Sequence, residues 1–392
     1  MECLISLGKA TAHVVYPTVL AVNRKAQIGL ATFALLFSTL DPQLSTAFAQ
    51  GSLAPPGAPA PTMKTLAQIE PRMPISSVPS TISAPGSYYL TTNLIVSSGT
   101  AINITTNGVA LDLNGFSIKS TAASAAGYGI LLTGSLRNLT IQNGFIEGGV
   151  TNNGSGFFGG PGFASGIYYS GGAPVNTRVS GVTVAGCLNY GLYLGGGSST
   201  VVEVCTVRTV GSYGIYASTI KGCAAVDCGG YAIIGDQVSD SHGESVGSFD
   251  GLFAFYTAQN CLGSSSAGTG LHAATALNCF GTSTTGAGVS ANSAQNCYGS
   301  SGSSPGISAE TASNSNGFST SNRGVSANVA ISCSGRCDVG GPYGLFATSV
   351  ANTSYGYSYS GTGLSATIAI GCIGANISGP SVSYINHYNM PP

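Results

Sequence analysis

The sequence predicts an all-β chain wound as a single-stranded parallel β-helix, a solenoid with coils of about 18–25 residues. Three observations predict it. One phrase returns at a constant interval: Asn260-Cys261-Leu262-Gly263, Asn278-Cys279-Phe280-Gly281, Asn296-Cys297-Tyr298-Gly299 and Asn314-Ser315-Asn316-Gly317. A second phrase falls between them: Gly270-Leu271-His272-Ala273, Gly288-Val289-Ser290-Ala291, Gly306-Ile307-Ser308-Ala309 and Gly324-Val325-Ser326-Ala327. The third observation is composition. Only 6% of residues are charged while 43% are hydrophobic, Gly numbers 58 and Trp is absent. An average domain carries roughly 25% charge. A solenoid reconciles these values, because Ser, Thr, Asn and Gly cover its outside while small apolar residues fill a narrow core. The net charge of -1 gives no basic footprint, so nucleic acid is not an expected partner.

Residues 1–49 read as a secretory signal. Arg24 and Lys25 precede an apolar run from Ile28 to Leu40, and Ala47-Phe48-Ala49 supplies small residues at a cleavage site. The run is about 13 residues, short of the ~20 that span a bilayer. Residues 50–73 are rich in Pro and Ala and read as a flexible linker. Residues 74–392 are the β-helix domain. No membrane span is expected after signal removal, and the expected location is secreted, periplasmic or cell-surface. The terminal Pro391-Pro392 would blunt an open coil end, so a monomer is expected.

The first coils are longer and less regular. Val109 to Ile118 alternates apolar and polar residues, turns at Asn114-Gly115 and resumes, and Leu136 to Ile146 does the same. Glycine-led phrases at Gly129, Gly166, Gly191 and Gly214 mark successive coils, and the wide first gap predicts a loop around 151–164. The phrases Ile82-Ser83-Ala84-Pro85-Gly86-Ser87-Tyr88-Tyr89-Leu90, Ile102-Asn103-Ile104 and Leu139-Thr140-Ile141-Gln142-Asn143-Gly144 carry a resemblance. With the Val109–Ile118 phrase, they resemble the opening of secreted bacterial right-handed parallel β-helix repeat proteins, a pectate-lyase-like architecture. The resemblance spans roughly residues 74 to 380, implies right-handed winding and is silent on activity. A left-handed hexapeptide helix lacks its six-residue aliphatic period here, and a calcium β-roll lacks its aspartates, since residues 251–309 contain none.

Columns at that constant interval carry the fold. Asp240, Asn260, Asn278, Asn296, Asn314 and Ser332 form an expected amide ladder, and Gly263, Gly281, Gly299, Gly317 and Gly335 are assigned to the left-handed backbone of the bends. Cys187, Cys205, Cys223, Ser241, Cys261, Cys279, Cys297, Ser315 and Cys333 form one inward column, either a buried thiol stack or a set of disulfides. Cys333–Cys337 and Cys223–Cys228 are the local disulfide candidates. Paired C-x2-C units are missing, so no metal site is expected. Glu203 and Lys221 are expected to stack as a surface ion pair.

Two clusters could carry chemistry. The acidic residues Asp227, Asp236, Asp240 and Glu244 are the candidate catalytic groups, because paired carboxylates serve glycosidic cleavage at about 5–9 Å. Stacking at the same interval places Asp227 beside Ser245, and Asp240 falls in the asparagine column, so a structural role competes. No cofactor is expected. Calcium enters only if the chain is a lyase. His242 and His272 read as isolated. The second cluster is Tyr168, Tyr169, Tyr190, Tyr193, Tyr213, Tyr216 and Tyr231, either filling a wider core, the favoured reading, or exposed for stacking on sugar rings. The resulting expectation is an exported, non-catalytic β-helix that touches a polysaccharide or cell-envelope glycan. The alternative is a polysaccharide lyase or glycoside hydrolase.

Overall fold

The computed structural model describes residues 70–374 apart from 173 and 198, with the strand backbone at 377–378 and 381–382. The expected signal at 1–49, most of the expected linker at 50–73 and the terminal prolines lie outside the described residues. The described residues belong to one compact unit, Met63–Pro392. They contain no helix. Thirty-four strands make one sheet wound into roughly 16 coils, and its ladders are parallel. A parallel β-solenoid is therefore the architecture.

The coil of residues 270–287 shows how the sequence winds. Leu271–Leu277 is a bent strand, and Phe280–Ser283 is a short one. The bend divides the long strand in two, so each coil has three faces. On the first face Leu271 and Ala273 point inward and His272 outward, as the period of two requires. On the second face Ala276 points inward, and on the third Gly281 and Ser283 do. The next coil repeats the arrangement in register, pairing Leu271 with Val289, Ala276 with Ala294 and Gly281 with Gly299. Neighbouring coils are ~4.8 Å apart.

The core changes along the axis. Leu111, Leu113, Ile130, Ile141 and Ile146 fill the early coils with no exposure. From about residue 251 each coil keeps one large inward aliphatic, such as Leu252, Leu271 or Val289, and its other inward residues shrink to Ala254, Ala258, Ala273, Ala276, Ala291 and Ala294. Gly263, Gly281, Gly299, Gly317 and Gly335 do not supply left-handed backbone, contrary to expectation. That conformation belongs to Asn260, Asn278, Asn296 and Asn314, at φ of 54°, 53°, 54° and 48°. Asn tolerates it because its short amide bonds locally. Gly281 is needed for a different reason: any Cβ there would collide with the carbonyl oxygen of Gly288. The core is simply too thin for a side chain at that position.

The amide ladder forms from Asp240 to Asn296, and Ser332 bonds instead to Thr353. Asn260 Nδ2 donates to Asp240 Oδ1 at 3.0 Å, Asn278 to Asn260 at 3.2 Å and Asn296 to Asn278 at 3.2 Å. The cysteines, however, occupy two columns rather than one. Cys205, Cys223, Cys261, Cys279, Cys297, Cys333 and Cys372 lie at the corner before the third face, where Ser241, Ser315 and Ser354 interchange with them. Cys187 pairs in register with Val210, which pairs with Cys228, and Cys337 pairs with Ser319 and Ser358. These belong to the corner after the third face. The coil that carries Cys187 onto Val210 is longer than the later ones, so the regular interval from Cys187 to Cys205 is coincidental.

The ten described cysteines are buried, unpaired thiols. Cys333 and Cys337 stand at opposite ends of a strand, about 13 Å apart at ~3.3 Å per residue, far beyond disulfide reach. Cys223 and Cys228 are divided between the two corners in the same way. Burial alone pushes the Cys187 thiol up to about 12. The expected Glu203–Lys221 pair is in register, but Glu203 turns to the preceding coil and accepts from Arg178 Nη1 at 2.7 Å.

The loop expected at 151–164 is an antiparallel hairpin, Thr151–Asn152 with Phe158–Gly159. Asn152 Nδ2 donates to Asp227 Oδ1 at 2.6 Å. Phe158 is 8% exposed and covers Gly211 and Gly229, the turn glycines just before Tyr213 and Tyr231. The hairpin thus lies along the edge of the first face.

Candidate functional site

Period-two alternation decides where the tyrosines point. Ile167, Leu192 and Ile215 are fully buried on the first face, so Tyr168, Tyr193 and Tyr216, one residue later, face outward. Tyr169, one further, turns back into the core at 3% exposure and donates its hydroxyl to Gly134 O at 2.7 Å. The core-filling reading therefore holds for Tyr169 alone and is corrected for the other six. Parity with the neighbouring aliphatics was the signal that could have settled it.

The outward rings form two adjacent columns. Tyr168, Tyr193 and Tyr216 continue in register through Ile234 to Phe253 and His272. The second column takes the residue before each coil-opening Gly or Ala: Tyr190, Tyr213, Tyr231 and then Asp250. Tyr128 extends it at the other end. Gly166, Gly191 and Gly214 are buried between the columns, and a Cβ on any of them would meet the backbone of the next coil. The strip from Tyr128 to His272 crosses seven coils, about 29 Å at ~4.8 Å per coil.

Ring geometry changes along this strip. Tyr128 and Tyr168 stack at 5.0 Å and 13°, and Tyr168 and Tyr193 at 5.2 Å and 27°. Stacked rings show their edges and hydroxyls to solvent. Beyond them the rings rotate: Tyr193–Tyr216 is edge-on at 73°, Tyr213–Tyr231 at 69° and Tyr231–Phe249 at 56°. Apart from Tyr193 and Tyr213, stacked at 22°, the rings there no longer lie flat on their neighbours, and the hairpin beside them carries Phe157 at 71% exposed. Burial raises the Tyr190, Tyr193 and Tyr231 phenols above the ordinary value. Neighbouring tyrosines add to the rise at each of the three, and Asp250 adds to it at Tyr231.

The strip closes on a pair that sequence reasoning missed. His272 Nδ1 lies 3.3 Å from Asp250 Oδ2, whose other oxygen accepts from Thr269 N at 2.7 Å. Phe253 meets the His272 ring edge-on at 4.8 Å. Asp250 precedes Thr269 by 19 positions and His272 by 22, so only the coil register brings them together.

The four acidic candidates are dispersed by the same register. Asp227 adopts φ 56° and its carboxylate is held by Asn152 and by Thr209 Oγ1 at 2.8 Å, a clamp for the hairpin. A register shift pairs Ser245 with Cys228, so Asp227 does not sit opposite Ser245. Asp240 heads the asparagine ladder, Asp236 lies at the bend of Ile233–Ser239, and Glu244 is on the third face. Asp227 and Glu244 come from adjacent coils, and both raise the Cys228 thiol, after burial. His242, with Asp240, Val204, Asn260, Leu262 and Phe280, lines a shallow open groove of about 630 Å³ on the third-face corner. No group of three or more metal-ligating side chains occurs among the described residues.

No protein-family model matches the chain, and no curated protein matches it. One similar solved structure is a β-helix. It is the A-module of mannuronan C-5 epimerase AlgE6 from Azotobacter vinelandii, at 13% identity and a TM-score of 0.38, covering 79% of this chain and 92% of that one.

Proposed function

We propose that this chain is an exported, non-catalytic β-helix that holds a polysaccharide, from the cell envelope or the extracellular space, along its tyrosine strip. One observation carries the reading: two columns of half-buried aromatic rings cross seven coils on one rigid face. Amphipathic rings offer an apolar body to the C–H faces of sugars and a hydroxyl to their oxygens. Tyr168, Tyr193 and Tyr216 stand on strands, which hold such groups more precisely than loops do, and Tyr213 and Tyr231 lead directly into strands. The rotated rings at Tyr213, Tyr216 and Tyr231 are the anchors of the strip, and the phenol edges from Tyr128 to Tyr193 extend it. Export follows from the signal read at 1–49. The engagement of Asp227 by Asn152 and Thr209 speaks against its use as a free acid or base.

Retardation of the exported chain in native gels cast with xylan, β-glucan or mannan tests the proposal. Tyrosine fluorescence follows the same binding without tryptophan background, since the chain has no Trp. Tyr213→Ala and Tyr231→Ala are each expected to weaken retention about tenfold, the cost of an aromatic anchor. Retention unaltered in the double variant, or release of reducing ends from any polymer, would sink the reading. The second outcome would return attention to Asp227 and Glu244.

A further inference from the structure

The first face continues past its tyrosines. Four coils beyond Asp250, and about 19 Å further at ~4.8 Å per coil, the second column reaches Arg323. Its guanidinium lies 4.2 Å over the ring of Phe346 and 5.7 Å from that of Tyr343, both supplied by the next coil. Nη1 donates to Ser326 Oγ at 3.2 Å. Arg72, Arg178 and Arg336 each hold a carboxylate. Arg323 holds none among the described residues, and its Nε–H is buried without an acceptor.

A guanidinium has five donors in one plane. Here one ring covers a face of that plane, Ser326 takes Nη1 and Nε is closed to solvent, which leaves Nη2 to meet an incoming group. The charged N–H groups of Nη2 can donate to an oxygen of a carboxylate or a sulfate. Aromatic backing holds the planar group in place, so little rotamer freedom is lost when a ligand pairs with it. Between His272 and Arg323 the two columns hold Ala287, Ser290, Pro305 and Ser308.

We propose that Arg323, backed by Tyr343 and Phe346, is an anion subsite taking the carboxylate or sulfate substituent of the polysaccharide held by the tyrosine strip. The proposal rests on the glycan-binding reading of that strip and names the substrate class. It also orients the polymer, because Asp250 repels an anionic group at the tyrosine end while Arg323 attracts one four coils away.

The experiment measures the affinity of the exported chain for three probes: polygalacturonate, dextran sulfate and neutral xyloglucan. Wild type is compared with Arg323→Gln, Arg323→Lys and Tyr213→Ala. Arg323→Gln is expected to weaken one anionic probe about tenfold or more and to leave xyloglucan binding unchanged, which also reports that the variant is folded. Whichever anionic probe loses affinity identifies the substituent. Arg323→Lys should recover only part of the loss, since an ammonium lacks the planar group that the two rings hold in place. Added salt should weaken wild-type binding to the anionic probe and spare xyloglucan. Equal affinity of wild type and Arg323→Gln for both anionic probes overturns the subsite. Tyr213-dependent binding of xyloglucan would then still stand, whereas failure of wild type to bind any probe overturns the strip and the subsite together.

Discussion

The two halves of the solenoid solve one packing problem in opposite ways. In the early coils, aliphatic side chains such as Leu111, Ile130 and Ile141 fill a wide core, and coil lengths vary. Past residue 251, coils of nearly constant length close on Ala, Cys, Ser and Gly. A wide core tolerates insertions because each coil can bulge outward without losing its inward residues. The hairpin at 151–159 and most of the tyrosine strip arise there. A thin core fixes coil length instead, since the backbones of one coil touch each other at Gly281 and Gly288. The proposed binding strip lies mostly where the winding is irregular, and the regular half extends the face on which Arg323 sits.

If the halves differ in this way, they must fail in opposite directions. Ile141→Ala empties a wide core and is expected to cost about 2–5 kcal/mol. Gly281→Ala overfills a thin one, where backbone blocks the new methyl, and is expected to cost about 3 kcal/mol or more. Gly172→Ala, where a Cβ meets nothing within 4 Å, is the neutral control. Urea midpoints rank the three, and hydrogen exchange should confine each defect to adjacent coils, because a solenoid couples only neighbours. A Gly281→Ala protein as stable as Gly172→Ala would erase the distinction.

The same contrast governs what could be read from sequence. The regular half announces itself: identical corners give identical spacings, so the asparagine ladder and the Ser/Cys corner are visible at a constant interval. The irregular half hides its register. Cys187 stands one regular interval before Cys205 yet belongs to the opposite corner, because the coil there is longer and carries it onto Val210. Direction was nevertheless written locally, as Leu192 followed by Tyr193 shows. The Asp250–His272 pair and the Arg323–Phe346 stack depend on which residues adjacent coils bring together, and no spacing within one coil encodes that.

The tyrosine strip gives a pH test of the comparison. Burial, with neighbouring tyrosines and Asp250, raises Tyr190, Tyr193 and Tyr231 above the ordinary value of 10.0. A raised folded value means the folded state favours the neutral phenol. Its contribution to stability is complete below the unfolded value and is lost as pH rises through the folded one. Phenolate absorbance should therefore show these three titrating above pH 10, with Tyr→Phe at each position removing its share of the late amplitude. A single midpoint at 10 for every tyrosine would mean the strip is open to water like any surface.

The smallest effect is expected at Val204, in the irregular half. Its φ is 53° and it is 71% exposed, in the turn column whose other members include Gly181, Gly222, Asp240 and Asn260. A left-handed conformation costs a β-branched residue about 1–2 kcal/mol, and part of that returns as backbone entropy when Gly replaces it. Val204→Gly should therefore raise stability by about 0.5–1 kcal/mol, read as a higher urea midpoint, while Gly222→Val should lower it by about 1–2 kcal/mol. The asparagine ladder is interrupted at these two positions, and the shallow groove with Asp240 and His242 opens there. Strain kept at an exposed position, where glycine serves in the coils on either side, is not required by the winding. A stabilised Val204→Gly protein would show that the side chain is retained for the surface it presents and not for the fold.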